Sequence, residues 1–187
     1  MHSLMPRCSQ QHVFCIGLCE TGTPELAEAL GILGTPVRTD PPLDLMLAGQ
    51  FPEAAEGYLG LAGPSAAAMF RELDLAFPDS KFILTLRTPH EWLEAIAHRS
   101  HTLGLTDAPT RLYGGGSFDR VSMLATYELH KASVLAHFVG REEDLLLLDL
   151  FDGENWDVLC PFLGVRPPRR AFPRLERRLP GSMPMAA

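Results

Sequence analysis

Three short, nearly unbroken apolar runs punctuate the chain: Val13-Phe14-Cys15-Ile16-Gly17-Leu18, Lys81-Phe82-Ile83-Leu84-Thr85-Leu86, and Leu145 to Leu148 within Asp144–Asp149. Runs of this length without polar alternation suit strands covered on both faces. Between them, apolar positions recur at helical spacing. Leu26, Ala29, Leu30 and Leu33 predict a helix over Pro24–Leu33, with Thr23 as N-cap, Pro24 at the first helical position and Gly34 as the stop. Ser65–Phe77 reads as a helix, and so does Pro89–Thr102, which gathers Trp92, Ala95 and Ile96 on one face. Ser117–Val139 is the longest candidate, with Phe118, Val121, Leu124, Tyr127 and Leu135 among its apolar positions, and Glu154–Leu163 is the last, closed by Gly164. Thr35–Pro64 is rich in Pro and Gly and yields only a short helix near Glu53–Leu59, while 103–116 reads as a loop ending in Gly114-Gly115-Gly116. Strands alternating with helices predict an α/β fold: a central parallel sheet between helical layers, three layers in the order αβα, in one domain over residues 1–187 without internal repeats.

Composition sharpens this picture by exclusion. Hydrophobic residues make up 46% of the 187 positions and charged residues 21%, as in ordinary globular domains. Sixteen Lys and Arg against 23 Asp and Glu leave a net charge of −7, which argues against a general nucleic-acid binder. The charge is uneven. Residues 166–187 hold six arginines against Glu176, a basic, Pro-rich segment that reads as a solvated tail on an acidic body. No stretch has the roughly 18 consecutive apolar residues of a membrane span, and Arg7 with the run after it lacks the layout of a secretory signal. Cys8, Cys15, Cys19 and Cys160 form no CxxC pair and read as reduced thiols of a cytoplasmic protein. Nothing in the sequence specifies an oligomeric state.

In a fold of this class, ligands bind beyond the carboxyl ends of the strands, often where a loop feeds a helix N-terminus. Gly17-Leu18-Cys19-Glu20-Thr21-Gly22-Thr23 occupies that place after the first strand. Gly17 and Gly22 have the spacing of a nucleotide-binding P-loop, but Thr23 stands where a Walker motif needs Lys, which disfavours a P-loop kinase. A purely structural turn would use the same two glycines.

The wider pattern resembles the P-loop-fold sulfotransferases, in particular their small single-domain bacterial and fungal branch. The resemblance covers roughly residues 12–175. It rests on Val13–Leu18 followed by Thr21-Gly22-Thr23, on Lys81–Leu86 followed by Arg87, Pro89 and Trp92, on Tyr127 and His130, and on Trp156, Leu159-Cys160-Pro161-Phe162-Leu163-Gly164-Val165 and Phe172-Pro173. It implies transfer of a sulfuryl group from phosphoadenosine phosphosulfate (PAPS) to a hydroxyl or amine of a small molecule, with phosphoadenosine phosphate as the nucleotide product. It further implies that Glu20, Thr21, Gly22 and Thr23 occupy the loop that holds the 5′-phosphosulfate, and that Arg87 meets the 3′-phosphate.

The match is incomplete at the loop. The family's loop lysine falls on Glu20, two helix positions that are often Thr-Ser fall on Pro24 and Glu25, and the serine eight residues after the arginine falls on Ala95. A carboxylate about 4 Å from a phosphate charge would be repelled by roughly 4 kcal/mol at an effective dielectric near 20. Substitute cations are few: Lys81 starts its strand, at the end away from the crevice, leaving Lys131 and, by analogy with relatives, Arg169 or Arg170. Three histidines are candidates for the base that deprotonates the acceptor: His98 and His101, three apart on one helix, and His130 on the long helix. Two readings stay open, a divergent PAPS-dependent sulfotransferase and a catalytically impaired member of the fold that binds or scaffolds.

Overall fold

The computed structural model describes residues 11–103, 119–153 and 155–173. Three parallel strands, β1 (Val13–Cys15), β2 (Lys81–Thr85) and β3 (Leu145–Leu148), pair in the order β1-β2-β3. Val13 lies opposite Lys81, and Phe82 opposite Leu145. On its other side β1 donates from the amides of Val13 and Cys15 to the carbonyls of Leu59 and Leu61, each at 2.9 Å, and Arg38 bridges to Leu61 beyond. β1 is therefore interior to the sheet, the position from which a following turn opens into the crevice.

Strand periodicity divides the core. Phe14, Phe82 and Leu84 face one side, with Phe70, Leu73, Val134 and Phe138, whereas Val13, Cys15 and Ile83 face the other, with Leu26, Leu30, Trp156 and Leu159. The first side is covered by α3 (Phe51–Ala54), α4 (Pro64–Ala68), α5 (Phe70–Ala76) and α7 (Arg120–His137), the second by α1 (Thr23–Ile32) and α8 (Trp156–Leu163). This is the three-layer αβα arrangement. The helices α2 (Leu43–Leu47) and α6 (Pro89–Leu103) complete the described elements, with a single 3₁₀ turn at Glu142–Asp144 before β3. No helix among the described residues is long and apolar enough to cross a membrane.

Several expected boundaries move. Thr23 is the first residue of α1 rather than its N-cap: Gly22 takes that place, and no side chain caps the helix. The predicted helix over Ser65–Phe77 divides at Met69, whose φ of −110° and ψ of 28° interrupt the helical turn between α4 and α5. The short helix expected near Glu53–Leu59 forms earlier, as α3, and α2 was not foreseen. The longest helix starts at Arg120 because the Asp119 side chain accepts from the Ser122 amide at 2.8 Å, and α8 starts at Trp156 behind the cap residue Asn155. Glu154, Gly114 to Gly116, Ser117 and Phe118 lie outside the described residues, as does the basic segment beyond Pro173. The earlier part of that segment docks against the body: Phe172 packs on Trp156 at 4.7 Å, and the Trp156 indole donates to the Arg170 carbonyl at 2.8 Å.

Candidate functional site

Past Cys15 the chain runs buried through Ile16, Gly17 and Leu18 and then turns toward α1. Gly17 is required by close approach, since a Cβ there would sit 1.8 Å from Oγ1 of Thr85. Thr21, fully buried, places its hydroxyl 2.6 Å from the Leu18 carbonyl and 2.6 Å from Oγ1 of Thr85. Its side chain thus ties the turn to the end of β2, and what it offers outward is backbone. Glu20 and Gly22 both adopt left-handed backbone conformations, φ 64° and 93°. Glycine adopts this at no cost, whereas for Glu20 it costs about 1 kcal/mol. Among the described residues, the amides of Glu20, Thr21, Gly22 and Thr23 make no backbone–backbone hydrogen bond. A row of amides entering a helix N-terminus is the backbone arrangement that suits an anion.

Arg87 closes over this turn from the end of β2. Its Nη1 donates to the Glu20 carbonyl at 3.4 Å, and its guanidinium stacks 4.1 Å above the ring of Phe151, which follows β3. Its backbone is clamped by one side chain, because the Tyr127 hydroxyl donates to the Arg87 carbonyl at 2.5 Å and accepts from the Arg87 amide at 3.2 Å. Burial pushes the Tyr127 hydroxyl above its usual pKa, which keeps it protonated for this donor role. Tyr127 packs on Trp92, whose indole donates to the Cys19 carbonyl at 2.8 Å. Two aromatic side chains therefore fix both the turn and the arginine above it.

The start of α6 is set by Thr88: its hydroxyl accepts from the Glu91 amide at 3.4 Å, as an N-cap does, and donates to the Glu91 carboxylate at 2.8 Å. Further along α6, Arg99 reaches back to the turn, with Nη1 3.0 Å from Oε1 of Glu20. The acid at the loop-lysine position is thus directed toward α6 and neutralised there. Arg99 was not among the expected residues. The signal that finds it is its position seven residues after Trp92 and three after Ile96, where the buried stripe of α6 continues with a charged residue. Phe151 carried no comparable signal.

The other expected residues fall in different places. On α1, burial, with Glu20 and Glu28 nearby, raises the pKa of Glu25. Ala95, on α6, offers no hydroxyl. His98 and His101 lie exposed on α6. His130 is half-buried, with Nε2 2.7 Å from the Ile16 carbonyl and the Phe70 ring edge-on at 6.0 Å, and burial holds it below the usual histidine pKa. Lys81 Nζ sits 3.5 Å from Asp144, at the opposite end of the sheet. Arg169 and Arg170 are exposed beside the α8 face. No group of three or more potential metal ligands forms among the described residues.

A family model described as the sulfotransferase domain matches residues 39–179. Its range takes in β2, Arg87, α6, α7 and α8 and begins downstream of the turn at 17–23. No curated protein matches the chain. Among solved structures, the chain is similar to a sulfotransferase from Alicyclobacillus acidocaldarius, at 19% identity and a TM-score of 0.49, over 83% of this chain and 81% of that one. With the domain model spanning most of its length, this chain belongs to the sulfotransferase family.

Proposed function

We propose that the protein is a PAPS-dependent sulfotransferase acting on a hydroxyl or amine of a small molecule. The observation that carries this reading is the pairing of two features at the carboxyl ends of β1 and β2: the amides of Glu20 to Thr23, which make no backbone–backbone hydrogen bond among the described residues, and the Arg87 guanidinium over the same turn. They supply what a nucleotide with phosphate groups at its 5′ and 3′ positions needs, namely amide donors for one and a fixed cation for the other. Thr21, Gly22 and Thr23 would hold the 5′ side through backbone, and Arg87, braced by Tyr127 and Phe151, would hold the 3′-phosphate. Bound there, PAPS supplies the sulfuryl group: the acceptor atom bonds to sulfur, the bond from sulfur to the 5′-phosphate oxygen breaks, and its electron pair leaves with the phosphate.

The acceptor's proton must leave as that bond forms. His130 is the residue we assign to it. A carbonyl only accepts, so the contact with Ile16 places the ring proton on Nε2 and leaves Nδ1 as the acceptor nitrogen. Burial keeps the ring neutral at pH 7, the form a base requires. His98 and His101 lie exposed on α6, whereas the His130 ring is held against the carbonyl that follows β1.

The direct test is calorimetric titration with phosphoadenosine phosphate. Binding at micromolar concentration, with a rise in Tm governed by mass action, is the expected result. Absence of heat and of any Tm shift at millimolar nucleotide, in wild type and in Glu20→Gln alike, would end the donor assignment and leave a binding or scaffolding role for the fold.

A further inference from the structure

The turn carries no cation of its own, yet two guanidinium groups converge on one of its residues. Arg87 arrives from the end of β2 and donates to the Glu20 carbonyl at 3.4 Å, and Arg99 arrives from α6 and meets the Glu20 carboxylate at 3.0 Å. From this we infer that Arg99 is the cation for the donor's 5′ phosphate group, supplied from α6 in place of a loop lysine, and that Glu20 holds it at the turn and must yield it when the nucleotide binds. The inference rests on the donor reading above.

Three observations carry it. First, Glu20 and Arg99 side chains are about equally open to solvent, at 32% and 35%, and an ion pair that exposed contributes little to folding. The pair is thus placed where a ligand can exchange for one partner at small cost to the fold. Second, Arg99 continues the stripe of Trp92 and Ile96, which are only 0% and 1% exposed, so the packing of α6 aims that stripe, and the arginine with it, at the turn. Third, the contact with Glu20 brings the guanidinium to the residue whose amide opens the row running to Thr23. A planar guanidinium suits a phosphate there through paired N–H donors.

Glu20 then acts as an internal competitor. Its carboxylate pairs with the arginine, so the nucleotide's apparent affinity is lowered by the work of separating the pair. Removing the acid should tighten binding, and removing the arginine should weaken it, more steeply because the acid is left uncompensated.

The experiment is calorimetric titration of wild type, Glu20→Gln, Arg99→Ala and the double variant with two probes, phosphoadenosine phosphate and adenosine 3′-monophosphate, which lacks the 5′-phosphate. For phosphoadenosine phosphate, Glu20→Gln is expected to bind about 10-fold tighter than wild type and Arg99→Ala at least 10-fold weaker, with the double variant between them. Arg99→Lys, which keeps the charge, should recover part of the loss. The Arg99→Ala penalty should vanish with adenosine 3′-monophosphate, and circular dichroism melts of all variants should match wild type within a few degrees. If wild type binds phosphoadenosine phosphate and Arg99→Ala binds it equally well, or shows the same loss with both probes, the role of Arg99 is overturned while the donor reading stands. If neither wild type nor Glu20→Gln binds the nucleotide, both fall together.

Discussion

Charged residues gather at both ends of the sheet, and the two gatherings are built differently. At the amino ends of the strands, Arg141 grips Asp74 through two nitrogens at 2.7 and 2.9 Å and Asp144 through a third at 3.0 Å. His137 adds a contact to Asp74 at 2.8 Å, and Lys81 joins from β2 through Asp144 and the Glu143 carbonyl. The Asp74 side chain is only 10% exposed, and its bonds link α5, α7 and the approach to β3. At the carboxyl ends, Arg99 meets Glu20 through one nitrogen and one oxygen, and Arg87 reaches a backbone carbonyl near the limit of hydrogen-bond distance. A clasp that satisfies its charges with one another stiffens the fold. Guanidinium groups set beside a row of amides are placed to meet an anionic partner from solution.

The contrast can be broken at either end. The largest effect is expected from His130→Gln, which keeps a donor for the Ile16 carbonyl and removes the base: kcat should fall about 1000-fold with nucleotide affinity unchanged. In wild type the lowered pKa of His130 places the acid limb of the kcat profile below pH of about 6.5, with activity lost as the ring protonates, and that limb should disappear in the variant. Next comes Arg87→Ala, expected to weaken phosphoadenosine phosphate about 100-fold by calorimetry while leaving the urea midpoint near wild type. Asp74→Ala should do the reverse, costing about 2 kcal/mol in urea unfolding and sparing nucleotide affinity. The Arg141 guanidinium beside Asp74 holds its carboxyl below the usual range. Its stabilisation is therefore present above the unfolded value of about 3.9 and is lost as pH falls through the lower folded value. Urea midpoints of Asp74→Asn should accordingly change less than those of wild type between about pH 5 and pH 2. Loss of nucleotide binding in the Asp74 variants at neutral pH would show that the two ends are not separate devices.

The sequence makes the strands legible because burial on both faces leaves an apolar run that needs no partner to be recognised. Val13–Cys15 and Lys81–Thr85 lie within the predicted runs for this reason. Helix ends are set by finer contests. Thr23 has the chemistry of a cap, yet the left-handed Gly22 with Pro24 behind it moves the helix start by one residue. Near the turn, the position of Arg87 just beyond β2 was readable from its place after an apolar run, whereas Glu20 was read as an isolated repulsive charge. Its counter-charge lies 79 residues away, and only the packing of α6 brings the two together. The role of Thr21 was hidden likewise, because a threonine in a glycine-flanked turn reads as a ligand contact until Thr85 is seen beneath it.

The hydrogen bond from Trp92 to the Cys19 carbonyl has a practical consequence. An excited indole has an enlarged dipole, so its emission follows whatever its N–H is bonded to. This chain has two tryptophans, and Trp156 is tied to Arg170 on the opposite flank of the sheet. With Trp156 replaced by phenylalanine, the protein would carry a single tryptophan, selectively excited above the tyrosine band and wired to the corner where Glu20 begins, a label-free optical readout of that corner's occupancy in real time.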